Sequence, residues 1–190
     1  MSKKEDFENF LKKENKKEDS NLPINWEEKK SKWLKQMENL DAHVKEWLRE
    51  YSDKDQLKVE SVKKQIHEEP LGIYDVSGLK ITVGGNEAFL NPIGTIMFGT
   101  PGRADLVGKF GTFKFVLADE KASKPEIMVK VHVVGEEKKE NTIEINKPKV
   151  EPKWVWKIST EPPQIEYREL NQESFLDCLI QVMNGKKKAS

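Results

Sequence analysis

Cysteine is almost absent from this sequence: Cys178 is the only one among 190 residues, so the chain can form no internal disulfide. Long apolar runs are missing too, and nothing approaches the roughly 18 consecutive apolar residues of a membrane-spanning helix. The N-terminal residues are charged and lack the apolar segment of a secretory signal. We therefore expect a cytoplasmic protein, in a compartment that keeps thiols reduced, with no membrane partner.

A net charge of either sign is also absent. Lys and Arg together number 33, and Asp and Glu together also number 33. A balanced chain has no global field that attracts nucleic acid or an anionic membrane. With 36% hydrophobic residues the chain is nevertheless apolar enough to build a folded core, and its length fits one domain with an extra helical segment or two small domains. We expect a microbial protein of this kind.

Motifs for catalysis and cofactor binding are missing. The nearest approach to a phosphate-binding loop, from Gly94 to Gly99, lacks the lysine, and no GxGxxG opens a helix. No HExxH, CxxC or GxSxG is present, and the three histidines lie in different segments, at His43, His67 and His132. Cys178 lies in an apolar helical stretch, where a thiol is usually inert. We predict no cofactor, no metal and no catalytic residue, with a motif-free enzyme as an alternative.

Glycine and short apolar runs alternate in the part of the chain that we expect to form the core. Seven of the eleven glycines lie within residues 84–117. This alternation of glycines with short apolar runs is typical of antiparallel strands joined by tight turns. Turns are predicted at Ser77–Gly78, Asn91–Gly94, Thr100–Arg103 and Gly108–Gly111. Seven to nine short strands are predicted in all, from candidate segments at 56–69, 73–76, 79–83, 88–90, 96–98, 104–107, 113–117, 127–133, 142–145, 153–158 and 165–168.

The connections between these strands are too short for crossover helices, which makes a parallel sheet improbable. The predicted fold is therefore α+β: a mostly antiparallel twisted sheet or a partly closed barrel, flanked by a long N-terminal amphipathic helix and a C-terminal helix. The predicted divisions are a charged mobile arm over 1–22, the first helix over 23–53, the β domain over 54–170, the packed second helix over 171–185 and a basic tail over 186–190.

The first helix carries an apolar line spaced alternately by four and three residues. Asn25 is its predicted N-cap, and the helix should end near Ser52–Asp53. Its line comprises Trp26, Trp33, Met37, Leu40, Val44, Trp47 and Tyr51. Two interpretations stay open: the line packs on the strands of the same chain, or it pairs with a helix of a second copy or of another protein.

Arg103 and Asp105 are two residues apart, so on a strand they share one face. One interpretation is that they pair with each other or with a neighbouring strand and fix the register. The other is that the arginine binds a carboxylate or phosphate at the end of the sheet.

The sequence as a whole favours a non-catalytic interaction protein that binds another protein or a second copy of itself, through the tryptophan-lined helix or an exposed sheet edge. The candidate partner-binding residues are Trp26, Trp33, Met37, Trp47, Arg103 and Asp105. The alternative is a barrel that binds single-stranded nucleic acid through aromatic residues set among lysines. Its aromatic residues would be Phe110, Phe113, Phe115, Trp154 and Trp156.

Overall fold

The computed structural model describes residues 25–95, 100–125 and 152–185. The predicted arm 1–22, the strands predicted at 96–98, 127–133 and 142–145, and the tail 186–190 lie outside these ranges. The elements are α1 (Trp26–Asp53), β1 (Lys58–Glu68), β2 (Gly72–Val83), β3 (Asn86–Gly94), β4 (Arg103–Gly108), β5 (Gly111–Asp119), β6 (Trp154–Ser159), β7 (Tyr167–Glu169) and α2 (Gln172–Asn184). In the part of the chain described, neither helix is long and apolar enough to cross a membrane.

The seven strands form a single sheet in which each strand lies beside its neighbour in sequence. All six pairings are antiparallel. The strands of the glycine-rich stretch, β3 to β5, occupy the centre of this sheet. The first and last strands do not pair, so the sheet is open. The predicted α+β class with an antiparallel sheet is confirmed, and of its two predicted forms the structure has the open sheet.

Both helices cover the same face of the sheet, which we call the inner face. On the central strands this face carries Leu90, Leu106 and Phe115, all fully buried. Phe175 of α2 lies 6.2 Å from Phe115 between ring centroids and 5.5 Å from Trp47 of α1. One continuous core therefore joins the two helices to the sheet.

Helix α1 begins and ends where the sequence predicts. The Asn25 side chain accepts a hydrogen bond from the Glu28 backbone N–H, at 3.1 Å, and the helix ends at Asp53. The members of the apolar line that are fully buried are Trp33, Met37, Leu40 and Val44, together with Leu48 beside them. Of the two interpretations of this line, the structure has the first: it packs on the strands of the same chain.

Strand β2 runs without interruption through Ser77 and Gly78, so the turn predicted there is wrong. Tyr74 and Val76, before Ser77, are buried on one face of the strand. Leu79, after Gly78, is buried on the opposite face, because side chains alternate along a strand. A Cβ atom on Gly78 would lie 2.4 Å from the Leu90 carbonyl oxygen. Glycine is therefore required here because β3 passes too close for any side chain, not because the chain reverses.

Two of the other predicted turns are wrong and one is confirmed. The range Asn91–Gly94 continues β3 with a bulge near its end. Gly102 extends the pairing of β4 with β5, because its carbonyl oxygen accepts from the Leu117 N–H at 2.9 Å. It has no positive φ, as a type II turn at Thr100–Arg103 would require. Residues Gly108–Gly111 do form the turn that joins β4 to β5.

Candidate functional site

The sheet has two edges of very different length. At one edge β7 contains three residues, and at the other β1 contains eleven. Strand β1 pairs with β2 over its whole length. Along its other side it makes no backbone hydrogen bond with residues 25–95, 100–125 or 152–185. A long edge of this kind offers a row of backbone donors and acceptors to an extended chain.

The turn between β1 and β2 determines which backbone groups face outward. The Glu68 carbonyl oxygen accepts from the Leu71 N–H at 2.9 Å, and Gly72 takes φ 70° at the start of β2. Glu68 therefore directs its backbone groups toward β2. Because backbone direction alternates along an antiparallel strand, the even-numbered residues of β1 also bond to β2. The N–H and C=O groups of the odd residues, among them Lys63 and Gln65, point away from the sheet.

A buried carboxylate holds the tip of this hairpin in place. Glu68 accepts hydrogen bonds from the Tyr74 hydroxyl at 2.5 Å and from the Thr95 backbone N–H at 2.7 Å. A Cβ atom on Gly94 would lie 2.8 Å from the same carboxylate, so the glycine gives Glu68 its room. Burial, together with this bond to Glu68, raises the pKa of Tyr74, so its hydroxyl stays protonated and donates. The hairpin tip is therefore fixed to the end of β3.

Further side-chain bonds fix β1 along its length and set its charge. Lys64 Nζ donates to the Pro92 carbonyl oxygen at 3.2 Å, and Lys45 Nζ of α1 donates to Ser61 Oγ at 2.8 Å. Lys58 pairs with Glu60 at 2.8 Å. With that pair balanced and Glu68 buried, Lys63 gives the exposed edge a positive charge.

The predicted partner-binding residues of α1 lie mainly in the core. Trp33 and Met37 are 2% and 1% exposed. The Trp33 ring lies 6.0 Å from that of Trp156, and a Cβ atom on Gly102 would lie 2.5 Å from it. Trp47 is half-buried beside Phe175 and stacks on His43 at 5.9 Å. Trp26 is half-buried, and Lys29 Nζ lies 5.1 Å from its ring centroid.

Arg103 and Asp105 pair with each other. Arg103 Nε and Nη2 each donate to a carboxylate oxygen of Asp105 at 2.6 Å, in a bidentate arrangement. The pair lies on the outer face of β4, opposite the helices, because Ala104 and Leu106 face inward. The structure therefore does not bring these two residues together with the tryptophans of α1. The binding role of all six predicted residues stays a prediction.

The described residues offer little chemistry of the catalytic or metal-binding kind. No group of three His, Cys, Asp or Glu side chains suited to a metal ion occurs among them. Burial and, to a lesser extent, Asp177 raise the pKa of Cys178 to about 12 against the opposing effect of Arg168, so the thiol is protonated and unreactive. Of the aromatic residues predicted to stack bases, Phe115 is fully buried and Trp156 Nε1 donates to the Gln36 carbonyl oxygen at 3.1 Å.

The free edge of β1 is the feature that sequence reasoning located least well. The signal that could have located it is the lysine content of this strand, at Lys58, Lys63 and Lys64, which is typical of edge strands. The strand itself was predicted over 56–69, but its place in the sheet depends on the order of all seven strands.

The comparisons with known proteins give no relative of this chain: no protein-family model, no curated protein and no solved structure matches it.

Proposed function

We propose that this protein is a non-catalytic interaction module that binds an extended segment of another protein along the free edge of β1. The observation that carries this proposal is the eleven-residue strand that pairs with β2 on one side and, among the described residues, with no strand on the other. Strand addition takes its affinity from main-chain hydrogen bonds and its specificity from alternate side chains. The single cysteine supports a location in the cytoplasm.

The chemistry of the edge favours an acidic partner. Lys63 gives the exposed strand a positive charge, and opposite charges directly across paired strands stabilise the pairing. The bonds of Glu68 to Tyr74 and Thr95 hold the hairpin in one shape before binding. A prearranged edge loses little conformational entropy when a segment adds to it, which favours affinity.

The experiment uses a labelled peptide of about ten residues that alternates valine with glutamate, titrated into the full chain by fluorescence anisotropy. A second peptide of the same sequence carries N-methyl groups on alternate residues, which removes the backbone donors that strand addition requires. We expect the first peptide to bind and the second not to bind. Hydrogen exchange should show that binding protects the amides of Lys63 and Gln65.

Two substitutions at Lys63 distinguish the contribution of its backbone N–H to binding from that of its side chain. Lys63→Pro removes the outward N–H, and proline is tolerated on an edge strand at such a position. Lys63→Ala keeps that N–H and removes only the charge. We expect at least a tenfold loss of affinity for the proline variant, about the effect of one or two hydrogen bonds, and a smaller loss for the alanine variant. Outward amides of β1 that are as protected in the free protein as those of β4 would contradict the proposal.

A further inference from the structure

A cavity of about 430 Å³ lies between α2, the turn from β4 to β5, and the end of β6. Its floor is apolar and comes from Phe113, Ile158, Cys178 and Val182. The last three are 6%, 3% and 1% exposed, so the floor belongs to the main core and is rigid. The volume falls within the roughly 300–1,000 Å³ of sites that bind small molecules.

An exposed aromatic ring forms one wall of this cavity. Phe110 is 54% exposed, the most of any phenylalanine described. Its backbone N–H donates to the Val182 carbonyl oxygen at 2.9 Å, which fixes the ring beside the C-terminal turn of α2. A large apolar side chain held at the mouth of a cavity provides contact area for an apolar ligand at little entropic cost.

An arginine lies at the polar end of the cavity. Arg168 stands directly opposite Ile158 in the pairing of β7 with β6, so both side chains are on the inner face of the sheet. Within the described ranges, Arg168 forms no ion pair and no side-chain hydrogen bond. A guanidinium group presents a planar set of donors that fits a carboxylate in a bidentate manner.

The two acidic groups of the cavity already have partners. Glu161 pairs with Lys114 at 2.9 Å, and Asp177 accepts from Gln181 Nε2 at 2.8 Å. These two carboxylates disfavour a ligand with several negative charges. The first turn of α2 is capped, because the Ser174 N–H donates to the Asn171 side chain at 3.0 Å. Arg168 is therefore the group of this cavity that is placed to bind an anion.

We propose that this cavity binds a small organic monoanion, whose apolar body contacts Phe110 and the buried floor and whose carboxylate pairs with Arg168. The ligand is held without a covalent bond, since the thiol of Cys178 stays protonated. This site lies at the opposite end of the strand order from β1 and is independent of strand addition.

The experiment measures the binding of octanoate to the full chain by isothermal titration calorimetry, with octan-1-ol as a matched ligand that lacks the charge. Arg168→Met removes the guanidinium and keeps much of the apolar stem. Lys35→Met removes one positive charge from the exposed surface of α1 and serves as the matched control. Thermal unfolding of each variant checks that the fold is intact.

We expect octanoate to bind the wild type and the Lys35→Met protein equally, and Arg168→Met to bind about tenfold more weakly or worse. Octan-1-ol should bind the wild type and Arg168→Met with the same low affinity. In addition, Phe110→Ala should weaken both ligands. The proposal would be overturned if octanoate did not bind at millimolar concentration. It would also be overturned if Arg168→Met and Lys35→Met lowered the affinity for octanoate equally.

Discussion

At the scale of single residues, Trp33 is the side chain on which distant parts of the chain meet. It is buried against Gly102 of the segment before β4 and against Trp156 of β6. We expect Trp33→Ala to lower the free energy of unfolding by about 3–5 kcal/mol, because it removes a large buried ring and leaves a cavity. Urea denaturation followed by circular dichroism measures this loss.

The matched control is Trp154→Ala. Trp154 is 41% exposed, so its removal should cost less than about 1 kcal/mol. If the two variants had equal stability, Trp33 would not be part of the core in solution and the tryptophan line of α1 would again be available as an interface.

Asp41 is a second residue whose burial has a measurable effect. It is 5% exposed on the inner side of α1, and burial raises the pKa of its carboxyl to about 6 from 3.8, against the opposing effects of Ser77 and Lys45. Because the folded state holds the proton more tightly than the unfolded state, Asp41 lowers stability as pH rises from about 4 to about 6. Below about pH 4 Asp41 does not lower the stability of the protein, and above about pH 6 it lowers the stability by its full amount.

We therefore expect Asp41→Asn to stabilise the protein at pH 7.5 by about 1–2 kcal/mol, and to leave stability nearly unchanged at pH 3.5. Urea titrations at the two pH values measure the difference. Glu169→Gln, at an exposed position of β7, is the control and should change stability at neither pH. A gain for Asp41→Asn that was equal at both pH values would show that charge burial is not its cause.

Sequence reasoning succeeded at this scale where the rule is local. Asn25 was identified as a cap because a cap depends on the next three residues alone. It did not find that Asp41 and Glu68 are buried, since each lies in a stretch of charged neighbours. Their burial is decided by elements far along the chain, such as the end of β3 over Glu68.

At the scale of the elements, the course of β2 depends on Gly78. We expect Gly78→Ala to cost about 2 kcal/mol, because the added Cβ meets the backbone of Leu90 at 2.4 Å and one of the two strands has to move. Gly85→Ala is the matched control, because nothing lies within 4 Å of its added Cβ. Chemical denaturation compares the two. A cost for Gly85→Ala as large as that for Gly78→Ala would contradict this account.

The errors in predicting turns have one physical origin. Proline and glycine were interpreted as signals for chain reversal at Asn91–Gly94 and Thr100–Arg103, but the first segment belongs to β3 and the second leads into the pairing of β4 with β5. The glycines are needed there because Glu68 and Trp33 approach the backbone closely, and Gly94 in addition takes a φ of 141°. A sequence does not distinguish a glycine chosen for its φ from one chosen for the space above it.

At the scale of the whole molecule, the shared core predicts one cooperative unfolding transition. Phe175 contacts both α1 and β5 through aromatic rings, and Gln172 Nε2 donates to the Trp47 carbonyl oxygen at 3.1 Å. We expect tryptophan fluorescence and far-ultraviolet circular dichroism to give coincident urea transitions. A helical signal that was lost at lower urea than the fluorescence change would mean that the helices are attached to the sheet only weakly.

The fold class was predictable from the sequence because short connections force antiparallel neighbours, as β3, β4 and β5 show. The candidate binding edge was not predictable from the sequence, because whether β1 lies at an edge depends on where the other strands of the sheet lie. For α1 the apolar line was visible, but its spacing fits a sheet of the same chain as well as a foreign helix.

The contact between Gln36 and Trp156, 120 residues apart, also determines what happens while the chain is being made. Each strand can pair with the one just synthesised, but α1 is finished long before β6 exists. At about 5–20 residues per second, its tryptophan face stays uncovered for roughly 6–24 s of translation. During that interval α1 is exposed to aggregation and to chaperone binding, and a pause in translation before Trp154 would lengthen it.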